Sequence, residues 1–250
     1  MKESSKKWIL IGAGCVILIA AAAFALFFSG KLLNADKQLP ADQQMFQDLL
    51  GAAKQGDSES QFMTGRCYLE GKGIKKDHLE AVKWFKTSAD RGNSNGMNAL
   101  GVCYEYGRGV KKDPAKAIEL YQKAVKKGNI PAKNNLGMCY FRGVGVKQDY
   151  RKAVELFQQA SEKGDIQAHC NLGTCYFQGI GVEKNDTKAA ELFRKSADRG
   201  YPLAQYNLAA CYESGRGVEK DLSKAVALYR KAAAAGMKQA QMKLKNPGLK

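Results

Sequence analysis

The sequence has little of the side-chain chemistry from which most active sites are built. Histidine occurs twice among 250 residues, and His169 with Cys170 and Cys175 gives an incomplete set of metal ligands on one stretch of chain. The serine–x–x–lysine signature of penicillin-reactive enzymes occurs only in the segment 4–7. No glycine pair is followed by the Gly-Lys-Ser/Thr of a phosphate-binding loop. We therefore predict no catalytic residues, no metal and no cofactor, and hence a protein that is not an enzyme.

Acidic residues are also scarce relative to basic ones. The chain contains 40 Lys and Arg against 24 Asp and Glu, which gives a formal net charge of +16 at pH 7. Residues 1–40 hold five Lys and two Asp or Glu, so the rest of the chain carries +13. A surface of this sign favours anionic partners or membrane head groups and says nothing about the fold.

Uncharged runs of more than 20 residues are absent except at one place, residues 8–28. This run is long enough to cross a bilayer as a helix, and Lys2, Lys6 and Lys7 precede it. The positive-inside bias predicts a cytoplasmic leader (1–7), a transmembrane signal-anchor helix (8–28), a linker (29–40) and repeats on the extracytoplasmic side, which is the periplasm in a bacterium. Nucleic acid is then not an expected partner. The alternative is a signal peptide cleaved after Ala25, which predicts a secreted protein.

One pattern recurs five times at a spacing of 36 residues. Its centre is a four-residue segment ending in Cys-Tyr, at 65–68, 101–104, 137–140, 173–176 and 209–212. A glycine pair, a helix-capping Asp or Asn, an alanine and a closing glycine follow each copy, all with the same spacing. A fixed spacing over five copies indicates a repeat array.

Each repeat reads as a helical hairpin. In the third copy Ala132, Leu136 and Tyr140 recur at helical spacing, which predicts a first helix, helix A. A glycine loop follows, and Asp149 is the expected N-cap of a second helix, helix B, with Phe157 in its apolar stripe. A hairpin of 36 residues is too small to bury a core alone, so neighbouring copies must stack.

The predicted fold is therefore all-α: an α/α superhelical solenoid of five 36-residue hairpins with end caps, preceded by one transmembrane helix. The predicted repeats are residues 57–92, 93–128, 129–164, 165–200 and 201–236. Residues 41–56 are half a repeat that caps the N-terminal end, and residues 237–250 are a C-terminal capping helix and tail.

Five of the seven cysteines occupy one repeat position, which argues against a disulfide framework. Stacked helices lie about 10 Å apart, beyond the roughly 7 Å between Cα atoms that a disulfide bridge can span. We predict free, mostly buried thiols that pack as small apolar side chains.

These residues resemble the Sel-one-like repeat, a branch of the tetratricopeptide superfamily. The third copy carries the pattern in Leu136-Gly137, Tyr140, Gly143-x-Gly145-Val146, Asp149, Lys152-Ala153, Leu156-Phe157, Ala160 and Gly164. The resemblance covers about residues 41–245, and the departures are Thr64, Glu80 and Ala209. It implies an α/α superhelical scaffold that binds protein or peptide partners; with the anchor predicted from residues 8–28, we expect a membrane-anchored member that acts in envelope assembly, signalling or host and envelope interaction.

Cysteine-rich members of that family join the two helices of each hairpin by a disulfide, and some are described as binding penicillin. This sequence lacks the second cysteine of each repeat, so the disulfides are not expected here. A penicillin-interacting or β-lactamase-like envelope protein remains the alternative function.

The predicted partner site is the concave face, if helix A lines it as in tetratricopeptide relatives. The candidate residues are Arg66, Tyr106, Asn135, Met138, Arg142, Asn171, Gln178 and Asn207. Three of them, Asn135, Asn171 and Asn207, recur at the repeat spacing, and their amides suit the backbone of an extended peptide. The alternative is that these asparagines only bond to neighbouring helix ends.

Two further patterns have two interpretations each. The tyrosine of every Cys-Tyr pair is expected in the core rather than on a contact surface. The glycine loops are basic in the first repeats, at Lys72, Lys75 and Lys76 and at Arg108, Lys111 and Lys112, and less so later. These loops are either a solvated face or a contact to anionic head groups or cell-wall polymer.

Overall fold

The computed structural model describes residues 39–246, which form twelve helices. They are α1 (Ala41–Lys54), α2 (Ser58–Glu70), α3 (His78–Asp90), α4 (Ser94–Tyr106), α5 (Pro114–Lys126), α6 (Ile130–Arg142), α7 (Tyr150–Glu162), α8 (Ile166–Gln178), α9 (Asp186–Ala197), α10 (Pro202–Ser214), α11 (Leu222–Ala234) and α12 (Lys238–Leu244). These residues contain no strand, and the all-α prediction of five hairpins is confirmed over them.

The chain divides into two units, Met1–Met45 and Phe46–Lys250. Within the first, the described residues 39–45 form the start of α1. The second contains the five hairpins. None of the twelve helices is both long and apolar enough to cross a bilayer. The predicted transmembrane helix 8–28 and the leader lie outside the described residues, so membrane anchoring remains a prediction.

The helix ends lie where the capping residues place them. In the third repeat α6 ends at Gly143, whose φ of 68° lies in the left-handed region that glycine adopts without strain. The carbonyl of Cys139, near the end of the helix, accepts from the N–H groups of both Gly143 and Val144. Helix α7 then begins after Asp149, whose carboxylate accepts from the N–H of Lys152 at 3.0 Å. The other hairpins repeat this pair of caps with the same residue types.

The second glycine of each loop fixes how consecutive hairpins stack. A methyl group on Gly145 would lie 2.6 Å from the carbonyl oxygen of Pro114, the first residue of helix B in the preceding repeat. Gly109, Gly181 and Gly217 face the same helix position one repeat back, at His78, Tyr150 and Asp186. Each loop therefore packs directly on the start of the previous helix B, and any larger residue would separate the two repeats.

The glycine before Cys-Tyr has a different role, inside one hairpin. A methyl group on Gly137 would lie 2.7 Å from the Phe157 ring, which is buried between the two helices. The fifth repeat has Ala209 at this position, opposite the buried ring of Tyr229. Glycine thus lets an aromatic side chain of helix B lie against the backbone of helix A.

In the second to fifth repeats the tyrosine of the Cys-Tyr pair lies under a lysine of helix B. The ammonium of Lys152 is 4.6 Å from the centre of the Tyr140 ring, and Lys188 is 4.4 Å from that of Tyr176. Tyr176 is buried and the other four tyrosines are half-buried, so the core expectation holds in part. This contact explains why a lysine precedes the recurrent alanine in four repeats.

The cysteines are packed inside, as predicted. The six described cysteines, Cys67, Cys103, Cys139, Cys170, Cys175 and Cys211, are all buried. Burial raises the pKa of Cys103 to about 11 and that of Cys170 to about 12. A thiol with such a pKa stays protonated at neutral pH and reacts slowly. Cys15 lies outside the described residues.

Candidate functional site

Two adjoining cavities open on the face formed by the A helices. The larger has a volume of about 680 Å³, and the smaller about 240 Å³. We call them together the A-face groove. Both are lined by Val102, Asn135, Gln167 and Tyr201; the larger adds Asn98, Pro131, Arg199 and Pro202, and the smaller adds Tyr106, Met138, Arg142, Asn171 and Leu203, among others. The groove thus runs from α4 in the second repeat to α10 in the fifth.

Five of the eight candidate partner-binding residues meet in the smaller cavity: Tyr106, Asn135, Met138, Arg142 and Asn171. Three do not line either cavity. Arg66 bonds to Glu70 on its own helix at 2.8 Å, Gln178 is exposed at the end of α8, and Asn207 lies one repeat further on. Five of the predicted residues therefore lie together in one cavity, and Arg66, Gln178 and Asn207 lie apart from them; partner binding by any of the eight remains a prediction.

The recurrent asparagines form cross-repeat pairs rather than a continuous ladder. The amide of Asn135 donates to Asn98 at 2.9 Å, and that of Asn171 donates to Asn134 at 2.8 Å. Asn207 makes the equivalent contact to the sulfur of Cys170 at 3.7 Å. Each pair joins an A helix to the preceding A helix, not to a helix end. Because an amide has two N–H groups and an acceptor oxygen, one such bond leaves bonding capacity for a ligand.

A buried carboxylate anchors the cationic side of the groove. Glu105 is 5% exposed, and its oxygens accept from the hydroxyl of Tyr121 at 2.8 Å and from the guanidinium of Arg142 at 2.6 Å. Arg142 also donates to the hydroxyl of Tyr106 at 3.3 Å. Burial, and then the Glu105 charge, raise the pKa of Tyr121 far above its usual range, so its hydroxyl remains a donor. The charge of Arg142 is therefore compensated within the groove, and its orientation is fixed.

The same arrangement recurs at the C-terminal end. Glu213 accepts from the hydroxyl of Tyr229 at 2.6 Å and from the ammonium of Lys243 at 2.9 Å. Burial alone would raise the pKa of Glu213, but these two hydrogen bonds lower it below its ordinary value. Sequence analysis missed both triads. The available signal was that only the second and fifth repeats combine glutamate after Cys-Tyr with tyrosine in helix B.

Tyr201 is the other groove residue that sequence analysis missed. The A helices of the first four repeats begin with Asp57, Asn93, Asn129 and Asp165, and each side chain caps its helix. Tyr201 occupies the equivalent position before α10 and makes no side-chain cap bond. Replacing a capping residue costs about 1 kcal/mol of helix stability. Tyr201 gives up this cap, and its half-buried side chain lines both cavities. This difference from the other repeats favours a binding role for Tyr201.

The groove offers hydrogen bonds and apolar contacts rather than reactive groups. Among residues 39–246 no group of three His, Cys, Asp or Glu side chains is arranged to hold a metal ion. His169 makes a hydrogen bond of 2.7 Å to the carbonyl of Asp165, and Cys170 is buried beside Asn207. Burial raises the pKa of Tyr201, with the nearby Cys170 and Asp165 adding to the effect. Tyr201 is therefore a neutral donor or acceptor in the groove.

Comparison with known families identifies the class of protein. The model of the Sel1 repeat matches five times, at residues 58–93, 94–129, 130–165, 166–201 and 202–237. These matches cover more than half of the sequence, so the chain belongs to the Sel1 repeat family. Each matched repeat begins one residue after the predicted boundary. No protein of curated function matches the chain.

Solved structures give the same fold. A Sel1 repeat protein from Oxalobacter formigenes is 28% identical over 90% of this chain and 86% of its own, with a TM-score of 0.70. A protective antigen of uropathogenic Escherichia coli is 34% identical over 83% of this chain, with a TM-score of 0.64, and this chain spans 45% of its length. An immunity protein from Pseudomonas aeruginosa, 21% identical over 85% of this chain and 81% of its own, has a TM-score of 0.57. At that identity the last similarity concerns the fold alone.

Proposed function

We propose that the protein is a non-enzymatic scaffold that binds an extended peptide, or a peptide-like segment of a partner protein, in the A-face groove. The observation that carries this proposal is the convergence of five predicted residues with Tyr201 on one groove spanning four repeats. The chain belongs to the Sel1 repeat family, and its resemblance to that family implies partner binding. This membership supports the proposal. In this proposal residues 8–28 form the membrane anchor. They hold the scaffold on the extracytoplasmic side of the membrane.

The chemistry of the groove matches that of a peptide. Asn135, Asn171 and Gln167 supply amides that donate to and accept from main-chain groups. Tyr106 and Leu203 are 51% and 38% exposed, although large apolar side chains are normally covered, and both face the smaller cavity. Exposed apolar side chains grouped in a groove mark an interaction site. The proposed partner therefore presents at least one bulky apolar side chain on an extended backbone.

The test uses a random twelve-residue peptide library displayed on phage and selected against the full chain. Affinities of the selected peptides are then measured by fluorescence anisotropy against wild type and the double variant Tyr106→Ser/Leu203→Ser. We expect the double variant to bind at least tenfold more weakly, because exposed apolar anchors contribute most of the energy at such sites.

The matched control replaces two equally apolar and exposed residues outside the groove. Leu79 and Met242 are 63% and 71% exposed and line neither cavity. The variant Leu79→Ser/Met242→Ser is expected to bind within twofold of wild type. Equal losses in the two variants, or unchanged binding by the groove variant, would exclude the A-face groove as the peptide site.

Tyr201→Asn separates binding from stability. Asparagine caps the A helix at Asn93 and Asn129, so this substitution is expected to raise the free energy of unfolding by about 1 kcal/mol. If Tyr201 contacts the partner, affinity falls in the same variant. A variant that gains stability and keeps full affinity would show that Tyr201 has no binding role.

The enzymatic alternative has its own test. Serine 4 of the penicillin-type signature lies outside the described residues, and no observation in the described part of the chain favours it. A fluorescent β-lactam incubated with the full chain is expected to leave no covalent label after denaturing electrophoresis. Labelling would replace the scaffold proposal with a penicillin-reactive function.

A further inference from the structure

The glycine loops of the first two repeats form a basic edge. We define the basic loop edge as Lys75, Lys76, Arg108, Lys111 and Lys112. All five side chains are exposed, and none is part of a salt bridge within residues 39–246. The guanidinium of Arg108 lies 5.2 Å from the centre of the Tyr106 ring, which holds it at the surface. The cations are therefore available to a partner.

The acidic residues of these two loops are already engaged. Asp77 accepts from the N–H groups of Leu79 and Glu80 at 2.9 and 3.1 Å. Asp113 accepts from the N–H of Lys116 at 3.0 Å. These carboxylates point at helix N-termini rather than at the lysines. The five cations of the basic loop edge therefore outnumber the two carboxylates of these loops, and the edge is positively charged.

The stacking of the hairpins places the two loops side by side. Gly109 in the second loop lies against the carbonyl of His78, the residue that follows Asp77 at the end of the first loop. Lys111 and Lys112 are thus attached next to the segment that carries Lys75 and Lys76. The repeat geometry turns two short sequence clusters into one continuous charged surface.

Later loops lack this character. The third loop has Val144 and Gln148 where the second has Arg108 and Lys112, and the fourth has Ile180. In the fifth loop Arg216 is paired with Asp186 at 2.7 Å. The cationic surface is therefore confined to the N-terminal end of the array, where the chain leads back toward the uncharged run 8–28.

We propose that the basic loop edge binds the phosphate head groups of anionic phospholipids in the bilayer that carries the predicted anchor. This inference rests on the membrane anchoring in the proposed function. The linker 29–40 spans at most about 40 Å when extended, because each residue adds about 3.3–3.6 Å. The first two repeats therefore stay within reach of the membrane surface, while basic clusters next to a membrane segment bind anionic lipids.

The strength of such binding follows from the number of cations. Each lysine near an anionic surface contributes about a fivefold increase in the ratio of docked to undocked protein. The attraction is screened over about 10 Å at 0.1 M salt and over about 3 Å at 1 M. The contact is therefore expected to be reversible and strongly dependent on salt.

The test places the full chain, with Cys15→Ser, in liposomes of phosphatidylcholine alone or with 30% phosphatidylglycerol. An environment-sensitive dye is attached to Ala115→Cys, an exposed position beside the edge. A head-group nitroxide quenches the dye if the edge lies on the lipid surface. The control dye site is Ser223→Cys, the equivalent exposed position in the fifth repeat. Because the six described cysteines are all buried, the dye attaches mainly to the introduced cysteine.

We expect quenching at position 115 in the phosphatidylglycerol liposomes, little in phosphatidylcholine, and loss of quenching in 1 M salt. Position 223 is expected to show none. The variant with Lys75, Lys76, Lys111 and Lys112→Gln should lose the quenching. The charge-matched variant with Lys163, Lys195, Lys231 and Lys238→Gln, all exposed and outside the edge, should retain it.

Three outcomes would overturn the inference: equal quenching in both lipid compositions, equal loss in the two lysine variants, or equal quenching at positions 115 and 223. Binding of soluble polyphosphate to the edge, with no quenching by the lipid nitroxide, would also overturn the inference. It would assign the edge to a free anionic polymer. Carbonate extraction of the same liposomes tests the anchor by itself. A chain that resists extraction but shows no quenching refutes the basic edge alone, and the peptide assay is unaffected by either result.

Discussion

The second and fifth repeats place a carboxylate against a tyrosine of helix B where the third and fourth place one phenyl ring against another. In the second repeat Glu105 bonds to Tyr121, whereas in the third repeat Phe141 and Phe157 occupy the same positions with ring centres 6.4 Å apart. The fourth repeat has a similar pair of rings, 6.2 Å apart. One backbone arrangement therefore accepts two different cores.

The difference shows what a buried carboxylate does that a ring does not. Glu105 reaches across to Arg142 of the next repeat, and Glu213 reaches to Lys243 of the capping helix. The paired rings of the third and fourth repeats contact each other within one hairpin, and the Phe177 ring also meets the next repeat, where the guanidinium of Arg216 lies 3.6 Å from its centre. Buried ion pairs add little net stability compared with apolar replacements, but they fix one geometry. We therefore interpret the triads as elements that set the position of a neighbour, in one case at the edge of the A-face groove.

The largest effect is expected from removing the buried carboxylate. Glu105→Ala leaves the Tyr121 hydroxyl buried without its acceptor and releases Arg142, so the free energy of unfolding is expected to fall by about 3 kcal/mol. Urea unfolding followed by circular dichroism measures the change. Glu70→Ala removes an exposed partner of Arg66 and is expected to cost less than about 0.5 kcal/mol. Similar losses in the two variants would show that Glu105 is no different from a surface charge.

A smaller effect is expected from replacing the glycine before Cys-Tyr, which the first four repeats share whichever side chains fill their cores. Gly137→Ala places a methyl group 2.7 Å from the Phe157 ring and is expected to destabilise by about 1–3 kcal/mol. The control is Gly51→Ala in α1, where no atom lies within 4 Å of the added methyl group. That change is expected to stabilise the helix by up to about 1 kcal/mol. If Gly137→Ala were also stabilising, the ring would not need the glycine.

The comparison is tested directly by converting one core into the other. The double variant Glu105→Phe/Tyr121→Phe gives the second repeat the pair found in the third. We expect stability within about 1.5 kcal/mol of wild type, because the unpaired polar groups are removed together and Arg142 is free to turn toward solvent. Peptide affinity is expected to fall, because Arg142 loses its fixed orientation. A double variant as unstable as Glu105→Ala would mean that the two cores are not interchangeable.

The smallest effect is a difference in acid stability. The pKa of Glu213 is lowered in the folded protein, so its contribution is present above the ordinary glutamate pKa and is lost as the pH falls through the lower folded value. The stability difference between wild type and Glu213→Gln is therefore expected to shrink steadily below about pH 4.3. Urea midpoints from pH 7 to pH 3 measure it. A difference that is the same at every pH would show that the carboxylate charge plays no part.

Most of the fold was predictable because its determinants are local and repeated. The αL position at Gly143 and the cap at Asp149 fix the ends of α6 and α7 from short-range chemistry alone. Five copies of the same signals made each assignment more secure than any single one. That Asn135 and Met138 line one cavity was also predictable, since both lie on one side of any helix through them.

What could not be predicted depends on contacts between repeats. The pairing of Asn135 with Asn98 depends on how one A helix is shifted along the next. Helical periodicity within one repeat does not determine that shift. The extent of the groove depends in the same way on Tyr201 from a distant repeat. The co-occurrence of glutamate and tyrosine in two repeats is visible in the sequence, but the cations that complete the triads, Arg142 and Lys243, come from the following segments and meet the glutamates only through stacking.

The burial of the thiols has a consequence for how the chain matures. Their protection comes from packed hairpins, so a newly made chain in an oxidising compartment presents reactive sulfur until neighbouring hairpins have joined. Losses to wrong cross-links then depend on how long assembly takes, and not on how stable the finished protein is. In such a compartment the rate of folding, more than its equilibrium, would decide the yield of the folded chain.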